Sequence, residues 1–191
     1  MDEVVLATGA RPPRTGFQRA LPMVDRLPGA ERPDAVAIHD VLDGTANAGH
    51  RVLVLDDVGD WRGLGTALFL AEAGHEVTIV TSAAVVGGGL SHSAADVPLR
   101  RRFTAAGGTM RPDTIVLDWS GDVATVRSTL TGAVEPLAAD TLVIAETPVA
   151  ETALAAELTA LGIAFHQIGD AVAPRRASLA IYEGRELALR L

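Results

Sequence analysis

The sequence RVLVLDDVGDWRGLGTALFLAEAGHEVTIVTS, residues 51–82, decides the fold class of this chain. Its first apolar run, residues 52–55, shows no alternation of polar and apolar side chains, which is typical of a strand covered on both faces. A turn follows, Gly63 and Gly65 begin a helix, and residues 77–80 form a second buried strand. This order of elements predicts an α/β unit with two parallel strands.

The turn of this unit departs from the fingerprint of a dinucleotide site. Rossmann-type sites carry G-x-G-x-x-G, whose glycines let the backbone approach a pyrophosphate. Only Gly63 stands where such a glycine belongs, because Val58 and Asp60 replace the other two. Asp56 and Asp57 add negative charge where a pyrophosphate would meet backbone amides. The sequence therefore predicts a Rossmann-like unit with a degenerate phosphate site, in which NAD(P)H binding is doubtful.

Composition narrows the function classes. The 191 residues carry 16 Lys plus Arg and 24 Asp plus Glu, a net charge of −8, which disfavours nucleic acid as a partner. The absence of cysteine excludes disulfides, and it excludes an iron–sulfur cluster held by this chain alone. The five histidines lack the spacing of metal ligands, so no metal site is predicted. No apolar run is long enough for a membrane span and no signal-peptide pattern is present, so a cytoplasmic protein without membrane contact is expected.

The flanking segments add further α/β elements. Apolar runs bounded by glycine and polar residues predict a strand at 140–145, a helix at 150–161, a strand at 163–168 and a closing helix at 175–191. Residues 109–119 and 123–130 predict a hairpin pair. The glycine run at 87–89 is interpreted as a loop, because no strand directly precedes it and no helix directly follows it.

Three separated pieces resemble parts of the flavoprotein reductases that have two dinucleotide-binding domains. They are VVLATGARP at 4–12, the Rossmann-like unit at 52–81, and IGDAVAPRR at 168–176. A narrower resemblance rests on two combinations: Asp170 with the Ala-Pro-Arg at 173–175, and the Asp-Asp-x-Gly at 56–59 with Gly63. These combinations resemble the C-terminal nucleotide-binding region of the trimethylamine dehydrogenase and 2,4-dienoyl-CoA reductase family, whose members have an old-yellow-enzyme-like barrel.

The resemblance implies an α/β fold of two parts. A three-layer Rossmann-like domain of the FAD/NAD(P)-binding type, with NAD(P)-binding-like character, is expected at 48–135. It is inserted into a partial second α/β domain of the FAD/ADP-binding type, formed by 1–47 and 136–191. ADP or FAD is the expected ligand of this incomplete domain. One continuous sheet through all strands would contradict this arrangement.

The resemblance also implies a function. Family members carry FMN and a 4Fe–4S cluster in a barrel upstream of this region, where an amine is oxidised or an enoyl-type substrate is reduced. The chain starts after the family's first βαβ unit, so it is expected to be a C-terminal fragment that is inactive alone. Its expected partners are the FMN barrel of its own polypeptide and an electron-transferring flavoprotein. The alternative is a non-catalytic docking module for an electron-transfer partner, with a degenerate nucleotide site.

Candidate residues are assigned to cofactor binding only, with no catalytic and no metal-binding residue. Asp170 either accepts a hydrogen bond from a ribose or ribityl hydroxyl or caps a helix. Arg175 either neutralises a phosphate or is a surface charge. Trp61, in the lengthened turn, either stacks on an adenine or fills the empty groove. The cofactor-binding candidates are Thr8, Gly9, Asp56, Gly59, Gly63, Gly65, Asp170 and Arg175.

Overall fold

A computed structural model describes residues 3–191 of the chain, which divide into two compact units. Unit 1 comprises Met1–Pro13 and Thr147–Leu191, and unit 2 comprises Arg14–Glu146. The strands are β1 Val5–Leu6, β2 Ala10–Arg11, β3 Ala35–Ala37, β4 Arg51–Asp56, β5 Glu76–Val80, β6 Thr109–Arg111, β7 Thr114–Trp119, β8 Val123–Ser128, β9 Val134–Ala138, β10 Thr141–Ala145, β11 Val149–Ala150 and β12 His166–Gln167. The α-helices are α1 Ile38–Leu42, α2 Thr66–Glu72, α3 Asp96–Ala105, α4 Ala153–Ala160 and α5 Ala177–Ala188.

Unit 2 is built on a parallel sheet of five strands in the order β3-β10-β4-β5-β6. A turn of π-helix, Trp61–Gly65, leads from β4 into α2, and α2 leads to β5. The strand, helix and strand predicted from residues 51–82 are therefore present and parallel. A separate antiparallel sheet has the order β7-β8-β9.

Two cores lie on opposite faces of the parallel sheet. Val52 and Val54 of β4 pack in one core with side chains of α1, α2 and α3. Leu53 and Leu55 pack in the other with side chains of β7 and β8. The apolar run without alternation is explained by this burial on both faces. Helices, parallel sheet and antiparallel sheet form three layers, and the predicted α/β Rossmann-like fold class is confirmed.

Unit 1 consists of short elements with little internal core. β1 pairs in parallel with β12, with Val5 opposite His166, and β2 pairs antiparallel with β11. Neither α4 nor α5 contains a buried residue. Leu161 and Ile181 are 71% and 73% exposed. Within residues 3–191 the strands form four separate sheets, so no continuous sheet runs through all of them.

The units divide at different points from the predicted boundaries at 47/48 and 135/136. Residues 14–47 and 136–146 belong to unit 2, because β3 and β10 pair in the same sheet as β4. The sequence pattern identified β10 as a buried strand but not its neighbours, since a parallel pair has no local signal comparable to a hairpin turn. The assignment of the two parts to FAD/ADP and NAD(P) types stays a prediction.

Two elements also differ in detail. The segment predicted as one hairpin strand, 109–119, is split at Pro112 and Asp113. Its first part, β6, joins the parallel sheet beside β5, and its second part, β7, forms the hairpin with β8. The strand predicted at 163–168 is reduced to His166–Gln167, because only these residues pair with β1.

Candidate functional site

The turn after β4 is closed by the side chain of Asp56, the last residue of that strand. Asp56 is 1% exposed. Its Oδ1 accepts hydrogen bonds from the amides of Val58, at 3.1 Å, and Gly59, at 2.8 Å. In a dinucleotide site, the turn leaves such amides free for the pyrophosphate. Here a carboxylate of the chain itself already occupies two of them.

Gly63 is required by this carboxylate. A Cβ atom added at Gly63 would lie 2.3 Å from Asp56 Cγ and Oδ1 and 2.7 Å from Oδ2. In a Rossmann site, a glycine lets a pyrophosphate approach the backbone closely. At Gly63 the group that approaches the backbone closely is the Asp56 carboxylate. Gly65 is different, because an added Cβ would meet only Trp61 Cε3, at 3.6 Å. The structure thus brings together Asp56, Gly59 and Gly63 of the predicted site and leaves Gly65 outside this contact.

A second carboxylate caps the helical turn that follows. Asp60 accepts a hydrogen bond from the Arg62 amide at 2.9 Å, and the Arg62 guanidinium pairs with it at 2.6 Å. Burial acts to raise the pKa of Asp60, but the hydrogen bonds and charge of Arg62 outweigh it and hold that pKa below the usual value. Asp60 therefore remains an anion at the start of the helix, where a phosphate would otherwise be placed.

The glycine run at 87–89 packs against the same turn. Gly89 donates its amide to the Gly59 carbonyl at 2.9 Å, and a Cβ at Gly89 would lie 2.8 Å from that oxygen. Gly88 begins a 3-10 helix that extends to Ser93. The run is therefore part of the wall of the turn, whereas the sequence was interpreted as a simple loop.

The charge of Asp56 is weakened by its surroundings. Burial raises the pKa of Asp56 to about 6; the two amide hydrogen bonds oppose this, and the charges of Asp60 and Asp57 add to it. Its Oδ2 is buried and has no hydrogen-bond partner among residues 3–191. These groups do not fit a dinucleotide pyrophosphate, because the amides are taken, the space at Gly63 is filled and the neighbouring charge is negative.

Two further carboxylates lie at the carboxyl ends of neighbouring strands: Asp57, which the sequence indicated only as an added negative charge, and Glu146, which it did not single out. Asp57 and Glu146 directly follow β4 and β10, and both are buried. Glu146 accepts from Thr15, and Asp57 from Arg19. Burial raises the pKa of Asp57, and the charge of Glu146 adds to this against the opposing effect of Arg19. The signal for Glu146 was its position after a buried strand; no signal identified the partners.

In unit 1, the predicted residues make internal contacts. Thr8 Oγ1 donates to the Glu151 carbonyl at 3.0 Å, and Gly9 takes a positive φ of 77° in the same turn. Asp170 Oδ1 accepts from the Arg175 amide at 3.0 Å. The N-cap residue of α5 is Arg176, and no side chain accepts a hydrogen bond at that cap. Asp170 therefore closes the loop before α5 and does not cap this helix.

Arg175 and its neighbours form a small polar cluster. The Arg175 guanidinium pairs with Glu183 Oε1 at 2.5 Å, and Glu183 Oε2 accepts from the Gly169 amide at 2.7 Å. The structure brings Asp170 and Arg175 together through the hydrogen bond from the Arg175 amide to Asp170 Oδ1. Their role toward ADP or FAD, like that of Thr8 and Gly9, stays a prediction.

No group of three or more His, Cys, Asp or Glu side chains among residues 3–191 is arranged to hold a metal ion. None of the helices within 3–191 has the length and apolar character needed to cross a bilayer.

The chain is similar in sequence to parts of two longer proteins. No family model matches it. It is 36% identical over 91 residues to N,N-dimethylglycine/sarcosine dehydrogenase of Chromohalobacter salexigens; this match covers 46% of the chain and 12% of that protein. It is 36% identical over 80 residues to a probable N-methylproline demethylase of Rhizobium meliloti, covering 42% of the chain and 10% of that protein.

Solved structures match nearly the whole chain. The 6-hydroxypseudooxynicotine amine oxidase of Pseudomonas geniculata N1 is 27% identical with a TM-score of 0.93; the match covers 99% of the chain and 29% of that protein. Histamine dehydrogenase of Rhizobium sp. 4-9 is 25% identical with a TM-score of 0.89, over 99% of the chain and 30% of that protein. Thioredoxin reductase of T. acidophilum, at 14% identity and a TM-score of 0.68 over 98% of the chain and 64% of that protein, shows the fold alone.

The resemblance inferred from the sequence is confirmed by these matches. The relatives are named as dehydrogenases, a demethylase, an amine oxidase and a reductase, which supports a relation of the chain to oxidoreductases. The matched part is less than a third of the length of the amine oxidase and of histamine dehydrogenase.

Proposed function

We propose, on the premise that this chain is related to the C-terminal region of the trimethylamine dehydrogenase family, that it belongs to a larger cytoplasmic flavin oxidoreductase that oxidises an amine. In this proposal FMN and a 4Fe–4S cluster lie in a barrel of the same polypeptide. This chain contributes no group to the chemistry. Unit 2 is structural, unit 1 is the site for ADP or FAD, and electrons leave to an electron-transferring flavoprotein.

The observation that carries this choice is the closure of the turn after β4 by Asp56. The family that the chain resembles has two branches. Its amine dehydrogenases pass electrons to an electron-transferring flavoprotein, whereas its enoyl-CoA reductases use NADPH. An enzyme that takes hydride from NADPH needs open amides at this turn. The carboxylate on the Val58 and Gly59 amides removes them, which favours the amine-oxidising side.

The exposed apolar surface of unit 1 supports the proposed place of the chain in a longer polypeptide. Leu161 and Ile181 remain largely exposed, and α4 and α5 bury no residue. Burying one such side chain against another part of the protein contributes about 1.5–3 kcal/mol to the free energy of association of the two parts. We propose that the remaining part of the FAD/ADP-type domain, supplied by the same polypeptide, covers these helices.

The full-length enzyme tests the proposed reaction. The polypeptide that contains this chain should be yellow when purified, and secondary or tertiary methylamines should reduce a dye acceptor in its presence. Enoyl-CoA substrates with NADPH should give no turnover above background. NADPH-dependent reduction of an enoyl-CoA, together with no amine-dependent dye reduction, would reverse the assignment.

Nucleotide titration of the isolated chain tests the role of unit 2. NADH and NADPH should show no saturable binding below about 1 mM, because a phosphate charge about 4 Å from the Asp56 carboxylate meets about 4 kcal/mol of repulsion at an effective dielectric near 20. Isothermal calorimetry measures this, with ADP and FAD in parallel to report on unit 1. Micromolar affinity for NADPH would contradict the structural role of unit 2. It would not bear on the amine reaction, which the assay of the full-length enzyme tests separately.

A further inference from the structure

A short segment of unit 2 lies across the carboxyl ends of β4 and β10. We call residues 15–19 the strap. Asp57 and Glu146 are the first residues after these two strands, and the Asp57 amide donates to the Ala145 carbonyl at 2.9 Å. The two carboxylates therefore emerge side by side at this edge. Open α/β sheets bind their ligands at the carboxyl ends of their strands. In this chain the strap occupies that place.

Alternate amides of the strap are bound by these carboxylates. Glu146 Oε1 accepts from the Thr15 amide at 2.7 Å; its Oε2 accepts from the Thr15 hydroxyl at 2.7 Å and from the Phe17 amide at 3.0 Å. Asp57 Oδ1 accepts from the Arg19 amide at 3.0 Å, and Oδ2 from Arg19 Nε at 3.1 Å. Both acids are buried, at 6% and 5% exposure. Buried carboxylates that lose such donors are costly, so the strap and the acids stabilise each other.

The strap has a further anchor between these two. The Gln18 side chain is 4% exposed, donates to the Val116 carbonyl at 2.7 Å and accepts from the Val116 amide at 2.9 Å. Val116 lies beside the irregular register of β7 and β8. Gly16 has a φ of 67°, and a Cβ there would meet Leu27 Cβ at 2.7 Å. The path of the strap is therefore fixed by the backbone as well as by the acids.

Glu146 also joins the two places where the chain enters and leaves unit 2. Unit 2 begins at Arg14 and ends at Glu146. Thr15 and Glu146 are 131 residues apart in sequence and share two hydrogen bonds. The same carboxylate thus ties the incoming and the outgoing connection to each other.

We propose that the strap is a latch, closed by Glu146 and Asp57, that covers the carboxyl edge of the central sheet and opens before that sheet does. Its opening breaks the hydrogen bonds to Glu146 and Asp57, those between Gln18 and Val116, and the bond from the Leu27 amide to the Thr15 carbonyl, and it leaves the five-stranded ladder intact. Segments outside the central sheet of a domain open locally at a lower free energy than its core strands do.

Native-state amide exchange on the whole chain tests the latch. In the wild type, the amides of Thr15, Phe17 and Arg19 should exchange faster than those of Leu53 and Leu142 in the central sheet. Glu146→Ala should speed exchange at Thr15 and Phe17 about tenfold or more, and Asp57→Ala should do so chiefly at Arg19. Exposed Glu31→Ala, with the same change of charge, is the control and should leave these rates within about twofold of the wild type.

Two outcomes would overturn the latch. The first is strap amides that exchange no faster than the Leu53 and Leu142 amides in the wild type. The second is unchanged strap exchange in both alanine variants. If Glu146→Ala speeds the amides of the central sheet equally, the chain has unfolded as a whole. Glu146→Gln, which keeps one acceptor oxygen, then decides: selective acceleration at Thr15 and Phe17 supports the latch, and uniform or absent acceleration rejects it.

Discussion

Gly63→Ala is expected to destabilise the chain by about 2–4 kcal/mol. The new Cβ would stand 2.3 Å from the Asp56 carboxyl, which is 1% exposed, so the carboxylate or the helical turn must shift. Overpacking of this kind costs about 1–3 kcal/mol, and a displaced Asp56 also loses its hydrogen bonds to the Val58 and Gly59 amides. The gain in helix propensity, about 1 kcal/mol, offsets only part of this. Chemical denaturation of the two proteins measures the difference.

Gly65→Ala is the matched control for this change. It lies two residues further in the same π-helical turn, and its Cβ would be in ordinary contact with Trp61 Cε3 at 3.6 Å. The variant should be as stable as the wild type or more stable by up to about 1 kcal/mol. Equal stability of Gly63→Ala and Gly65→Ala would mean that the Asp56 carboxylate does not fill the turn.

Asp56→Asn is expected to make the chain more stable than the wild type at neutral pH, by up to about 3 kcal/mol. Burial raises the pKa of Asp56 from 3.8 to about 6, a shift of about two units at about 1.4 kcal/mol each. Because the pKa in the folded state lies above that in the unfolded state, the protonated acid favours folding below about pH 4, and this contribution is lost as pH rises through about 6. Asparagine keeps an oxygen for the Val58 and Gly59 amides and does not ionise.

The test is the difference in unfolding free energy between Asp56→Asn and the wild type, measured from pH 4 to pH 8. The difference should grow in favour of the variant as pH rises and level off above about pH 7. Asp60→Asn is the control of opposite sign, because the pKa of Asp60 lies below its usual value. That variant should be less stable than the wild type at neutral pH, with the gap closing in acid. A pH-independent difference for Asp56→Asn would show that Asp56 is not held in a charge-opposing site.

The sequence determined the elements whose signals are local. The apolar run at 52–55, the helix after Gly63 and the strand at 77–80 follow from periodicity and turn residues within 32 positions, and all are present. The replacement of the fingerprint glycines by Val58 and Asp60 likewise indicated a degenerate phosphate site before any contact was known. The order of three short motifs was sufficient for the family resemblance. These features depend on neighbours in sequence, whose geometry the backbone fixes.

Only the tertiary structure decided which groups fill the turn after β4, where the fingerprint glycines are replaced. The sequence indicated only that Asp56 would repel a pyrophosphate, whereas the structure shows that its carboxylate accepts hydrogen bonds from the Val58 and Gly59 amides. The pairing of β10 between β3 and β4, and the binding of Thr15 by Glu146 over 131 residues, carry no local signal. Such contacts form when distant buried groups find partners in the folded chain, because a buried carboxylate without donors is too costly to persist.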